Sequence, residues 1–231
     1  MNDENAVQTI VETAEEEQAP KALPLGNFAL MSMILFLLAM AAGLAAFAVK
    51  QGRLELRPEL PVLVEAPDFS LINQEGEQVD RASFKDRVWI ADFIFTRCAG
   101  PCLTMSHHMS EIHKAFAGDA RVMFASFSVD PDFDSPPVLA QYAERHNATD
   151  GRWQFLTGAG ERIESVAIEG FKLKVGSEPP VEGMLRIFHD EHFVLIDSRG
   201  RVRGYYDGLD PEAIQRLIGD VSLLLREAPA P

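Results

Sequence analysis

The 231-residue chain is poor in cysteine, with two, and short of positive charge, with 21 Lys and Arg against 35 Asp and Glu for a formal charge of −14. Two cysteines exclude a disulfide-stapled scaffold and cannot fill a four-thiolate zinc site. The deficit of bases argues against a nucleic-acid partner, because Lys and Arg neutralising phosphates supply most of that affinity. No internal repeat is visible, so a solenoid or propeller is not indicated. Apolar residues make up 47% of the chain, enough for a packed core, so disorder throughout is excluded as well. The length fits one globular unit with appendages.

What is present divides into parts by composition. Residues 1–27 carry six acids and one base, Lys21, and read as a solvated acidic tail. Residues 28–49 are 22 consecutive residues without a charge. At about 1.5 Å per residue such a helix spans roughly 30 Å, the thickness of a bilayer's hydrocarbon core. A cleaved signal peptide is the rival, since Ala46-Phe47-Ala48 has the small-x-small form of a cleavage site. The run is longer than the usual signal core and its leading segment is acidic, which favours a retained anchor. Lys50, Arg53 and Arg57 follow the span, and by flanking charge alone the large domain would sit in the cytoplasm. Residues 50–65, with Pro58 and Pro61, read as a linker, and residues 66–231 as the functional domain.

In that domain residues 88–96 form a buried strand, 102–116 a helix and 122–129 a second buried strand. Asp134, Ser135 and Pro136 open a helix to about residue 147. A short strand over 153–156 and a helix over 161–169 follow. Strands at 192–197 and 202–206 flank a turn at Ser198-Arg199-Gly200, and Asp210 and Pro211 open a last helix. Strands alternating with helices imply an α/β fold with helices on both faces of the sheet. A terminal hairpin and helix make it thioredoxin-like.

Cys98 and Cys102 lie where the first strand ends and the next helix begins. Chemistry gathers at the carboxyl ends of strands in open α/β sheets. Gly100 and Pro101 keep the helix from starting earlier, which puts Cys98 on the loop and Cys102 in the first turn. There the unpaired N–H groups would lower a thiol pKa. Two sulfurs one turn apart can share a soft ion, Cu(I) with zinc as rival, or close a disulfide. Of the six histidines, His107, His108 and His113 follow Cys102 on its helix and read as solvated. Met105 and Met109 read as core packing. His189 follows an irregular stretch with Gly176, Pro179, Pro180 and Gly183, and precedes the strand whose entry loop should face the cysteines. It is therefore the candidate third ligand, and His192, within the strand, a weaker one.

With these residues in place the sequence resembles the Sco/SenC family, membrane-anchored copper chaperones of thioredoxin fold that serve cytochrome c oxidase. The resemblance spans residues 66–225. Its segments are Pro67-Asp68-Phe69-Ser70-Leu71, Phe95-Thr96-Arg97-Cys98-Ala99-Gly100-Pro101-Cys102, Ser128-Val129-Asp130-Pro131 with Asp134-Ser135-Pro136, and His189 six residues before Leu195-Ile196-Asp197. Leu103 stands where the family usually has proline, and Ser135 where it has threonine. The resemblance implies copper, Cu(I) or Cu(II), held by Cys98, Cys102 and His189, and delivery to subunit II of cytochrome c oxidase. It also implies a domain on the periplasmic side of the inner membrane, against the flanking-charge rule. Asp130 is either a hydrogen-bonding support beside the metal ligands or a strand-end aspartate. Two further roles stay open for Cys98 and Cys102. One is a redox pair that reduces the acceptor's cysteines. The other is a peroxide-reducing thiol.

Overall fold

A computed structural model describes residues 25–50, 59–98, 100–181 and 184–227. Most of the expected acidic tail (residues 1–24) and residues 51–58 of the expected linker lie outside the described residues, as does Ala99 between the cysteines. The chain forms two compact units, one ending at Pro58 and one beginning at Glu59.

In the first unit, helix α1 (Leu25–Lys50) contains the whole uncharged run. Its apolar side chains are exposed along its length; Phe36 and Leu44 are among the most open. By length and composition this one helix can cross a membrane.

The second unit is built on a six-stranded mixed sheet in the order β1-β10-β9-β4-β5-β6. The strands are β1 (Val64–Glu65), β4 (Val88–Ile94), β5 (Val122–Ser128), β6 (Trp153–Leu156), β9 (His192–Ile196) and β10 (Arg201–Asp207). β4, β5 and β6 run parallel, whereas β9 is antiparallel to β4 and to β10. Two short hairpins stand beside the sheet, β2 (Ser70–Ile72) with β3 (Gln78–Asp80), and β7 (Gly176–Val181) with β8 (Met184–Phe188). The helices are α2 (Pro101–Ala115), α3 (Pro136–Arg145), α4 (Gly160–Ser165), which runs on as a π-turn (Val166–Gly170), and α5 (Pro211–Glu227).

Every residue of β4 is buried, as its apolar run anticipates for a central strand covered on both faces. Side chains alternate across the sheet with period two. Val88, Ile90 and Ile94 join the layer made by Met105, Met109 and Ile112 of α2 and Leu217 and Val221 of α5. Trp89, Ala91 and Phe93 join the opposite layer, where Phe69, Phe84, Phe127 and Phe171 pack edge to face or stacked. Each such fully buried side chain contributes about 1.5–3 kcal/mol.

Three segments differ from the sequence expectations. Val64 and Glu65 fall in the expected linker but pair with Val202 and Arg201. Arg203 fastens the preceding residues by donating to the carbonyls of Leu60 and Pro61. Two residues are too few to show an alternation, so this edge strand left no pattern. The stretch around Pro179 and Pro180, expected to be irregular, is the β7–β8 hairpin. Proline is admissible there because a two-stranded ribbon leaves one side of each strand without ladder partners. Asp134, expected at a helix start, does stand before α3, but its side chain turns inward rather than capping.

Asp92 interrupts the apolar face of β4. It is fully buried, accepts a 2.6 Å hydrogen bond from Ser126 through Oδ1, and has no partner for Oδ2 among the described residues. Burial pushes its pKa up to about 7, against which the Ser126 bond acts only weakly. The folded protein thus holds a proton there that the unfolded chain releases near pH 4. Stability should be greatest below the unfolded pKa and fall as pH rises from about 4 to 7. Asp92→Asn is expected to remove that part of the slope and to stabilise the protein by about 1–4 kcal/mol above pH 7, read from urea midpoints across pH.

Candidate metal centre

The centre forms where the parallel strands end. β4 stops at Ile94, Phe95 stays buried, and a turn closed by the Cys98 N–H on the Phe95 carbonyl brings Cys98 back over the strand end. Gly100 is the N-cap of α2 and Pro101 its first residue, where proline's missing N–H costs nothing. Cys102 follows in the first turn and is fully buried, while Cys98 is partly exposed.

His189 arrives from the other side of the sheet. The β4–β9 ladder pairs Trp89 with Ile196 and Ala91 with Val194. The ladder ends at that last pair, and the chains run on from it in the same direction across the sheet, to His189 five residues before Val194 and to Cys98 seven after Ala91. The ligand atoms of Cys98, Cys102 and His189 all lie within 4.8 Å of one another, the one such group of His, Cys, Asp or Glu found among the described residues. Ligands about 2.3 Å from a shared ion in a trigonal arrangement stand about 4 Å apart, so the three can share one ion once Cys102 and His189 part to admit it.

Electrostatics prepare the imidazole. His189 Nδ1 donates to the Asp190 carbonyl at 2.9 Å, which leaves the Nε2 lone pair facing Cys102 Sγ at 2.7 Å. Burial lowers the His189 pKa and so favours the neutral, ligating form. The Phe95 ring packs edge-on against it.

Cys102 overturns one expectation. The helix start was to lower its pKa; instead burial, with the adjacent Cys98 thiol adding to it, raises it. A partial dipole charge at a helix end is outweighed when the sulfur loses all contact with water. A cation at the centre would reverse the balance by placing a full positive charge beside the sulfur.

A buried aspartate that the sequence reading took for a helix signal fixes the loop. Asp134 accepts from the Thr96 N–H at 3.0 Å, from Thr96 Oγ1 at 2.5 Å and from Ser128 Oγ at 2.5 Å. Asp130 accepts from Arg97 Nε at 2.9 Å and Nη2 at 2.5 Å. Its bond is thus to the neighbour of Cys98 rather than to a ligand atom. Asp130 and Asp134 together grip the two residues before Cys98.

The remaining candidates lie elsewhere. Met105 and Met109 are core residues. His107 is exposed beside Glu111, and His108 Nδ1 meets the Gly208 carbonyl. His113, expected in solvent, is buried against Phe124 and Trp153 with Asp150 3.0 Å from Nε2. The spacing along a helix does not reveal that a loop 37 residues on brings a carboxylate to cover it. His192 is exposed and pairs with Asp190.

Comparison with known proteins gives a consistent set. The family model described as SCO1/SenC matches residues 61–224. The SCO1 protein homolog of Bacillus subtilis (strain 168) is 36% identical over 163 residues, 70% of this chain and 83% of that protein. Among solved structures, BsSco, described as having a disulfide switch and as a member of the Sco family of cytochrome c oxidase assembly proteins, aligns with a TM-score of 0.61 at 32% identity. The alignment covers 72% of this chain and 96% of BsSco. Bradyrhizobium japonicum ScoI, solved with copper bound, shares the fold with a TM-score of 0.59 at 24% identity, over 70% of this chain and 99% of that one.

Asp134→Ala is expected to leave the Thr96 and Ser128 donors without their acceptor and to cost about 2–4 kcal/mol in urea unfolding. Alkylation of Cys98 in the native protein should quicken in the same variant, as the loop loses its anchor. An unchanged alkylation rate would mean that Asp134 does not hold the loop.

Proposed function

This chain belongs to the SCO1/SenC family, and on that premise we propose that it carries copper on Cys98, Cys102 and His189 and delivers it to the copper site of cytochrome c oxidase subunit II. The observation that carries the reading is the convergence of two sulfurs and a neutral imidazole within 4.8 Å, from segments 87 residues apart. Two thiolates with one imidazole suit copper in either oxidation state, whereas structural zinc takes four ligands. Copper is cargo in this reading. Cys102 is the buried ligand that anchors it, and Cys98 and His189 stand at the partly open edge. An acceptor's ligands approach from that edge and replace the three donors one at a time.

Asp130 supports the site by fixing Arg97 beside Cys98. The chain is arranged as an acidic tail (1–27), an anchor (28–49), a linker that ends before residue 59, and the Sco domain from there on, which takes in the strand Val64–Glu65. The anchor is retained in the inner membrane and the domain faces the periplasm. Support for anchoring is the single apolar helix α1.

A second reading has its own observation. Cys98 and Cys102 are free thiols, close together, with one accessible and one buried. In this role the Cys98 thiolate attacks an acceptor disulfide and the Cys102 thiolate resolves the mixed disulfide. Two electrons pass to the acceptor, its two thiols leave protonated, and a Cys98–Cys102 disulfide remains.

Anaerobic titration of the full chain should show one copper equivalent, lost in Cys98→Ala and Cys102→Ala and weakened at least tenfold in His189→Ala. Disulfide exchange should persist in His189→Ala if the redox role is also real, and equal loss of both activities would assign the histidine to the fold instead. Sidedness has its own check, labelling of intact cells with a membrane-impermeant thiol reagent. Cys98 should react before lysis; reaction only after lysis would place the domain in the cytoplasm.

A further inference from the structure

Among the described residues of the globular unit, seven large apolar side chains are substantially exposed, and three of them border the metal centre. Leu103, 52% exposed, follows Cys102 directly. Phe188, 49% exposed, precedes His189. Phe133, 43% exposed, lies under the Arg97 guanidinium at 4.1 Å, and Arg97 precedes Cys98. Leu103 and Phe188 are thus chain neighbours of two ligands, and Phe133 packs on the side chain of Arg97, the residue next to the third.

None of the three hangs loose. Phe133 is held by Arg97, itself bonded to Asp130. The Phe188 ring lies over Gly176, where a Cβ would come within 2.7 Å of it. Leu103 is fixed in the first turn of α2, its N–H bonded to the Gly100 carbonyl. Together they expose apolar surface on the order of 300 Å², the scale of the largest patch on a typical monomer. Acids border it. Phe133 is preceded by the exposed Asp132, and His189 is followed by Asp190 and Glu191.

We propose that Leu103, Phe133 and Phe188 form an apolar collar on which the copper acceptor docks, a protein whose own apolar contact is bordered by bases. The claim rests on the delivery reading, because ligand exchange requires the acceptor's donors to come within bonding distance of the ion, and the collar is what they meet first. Charge decides against a second copy of this chain. Two molecules of −14 repel, and a symmetric contact would set Asp132 and Glu191 against acidic copies of this border.

The test uses the full chain in detergent and, as probe, the soluble copper domain of subunit II from the same organism. Leu103→Glu and Phe188→Glu are each expected to weaken binding of that domain about tenfold or more and to slow copper transfer to match, with copper stoichiometry unchanged. Ile168→Glu, an equally exposed apolar site outside the collar, serves as control and should change neither. Wild-type binding should also weaken as salt rises. Full binding by both collar variants, or equal weakening by the control, would overturn the collar. Salt-independent binding would remove the basic border from it. If the wild type binds without passing copper and the collar variants do not bind, the collar stands and the delivery reading falls. If the wild type does not bind at all, both fall.

Discussion

The contact between Cys102 Sγ and His189 Nε2, 2.7 Å across 87 residues of sequence, is the constraint on which the rest of the molecule depends. Neither residue reaches the other by local geometry. Cys102 is placed by the end of β4 and the proline-led start of α2; His189 is placed by the antiparallel register of β9 on that same strand. One central strand therefore sets both halves of the centre. Because β4 is buried throughout and its two faces belong to separate packed layers, a shift in its register would disturb both layers at once.

Burial then decides the chemistry of each ligand, in opposite directions. It holds His189 neutral, which suits a metal ligand, and it holds Cys102 protonated, which does not until a cation arrives. A pair with one buried and one accessible sulfur is thereby asymmetric. The buried one is quiet without a charged partner, and the accessible one meets whatever approaches. That asymmetry serves a protein that must hold a soft ion yet surrender it, and it serves directional disulfide exchange equally well.

Around the ligands a set of buried hydrogen bonds replaces the missing regular structure. Phe95 to Cys98 belong to neither strand nor helix, and such a loop would be free to wander. Asp134 and Asp130, from the turn after β5, take up its donors, and Ser128 at the end of β5 donates to Asp134 and accepts from the Asp130 N–H. The neighbouring parallel strand thus delivers the loop's supports as well as residues to both packed layers.

Much of the fold was legible along the chain. The mainly apolar runs of β4 and of β5, the proline-led starts of α2, α3 and α5, and the Ser198-Arg199-Gly200 turn all stand within a residue or two of expectation, because burial on both faces and helix capping leave local marks. The uncharged run of α1 and the spacing of Cys98 and Cys102 were equally plain. What local pattern does not encode is which distant group comes to meet a side chain. The two-residue strand β1, the inward turn of Asp134 and the cover over His113 are all settled by partners remote in sequence. The sequence by itself determined that two thiols would stand at a strand–helix junction and named the histidine that could join them. Only the tertiary structure decided that Cys102 would lose its water, and so that the low dielectric of the core would overrule the helix end, because burial is a property of everything packed around a residue and not of its neighbours in the chain.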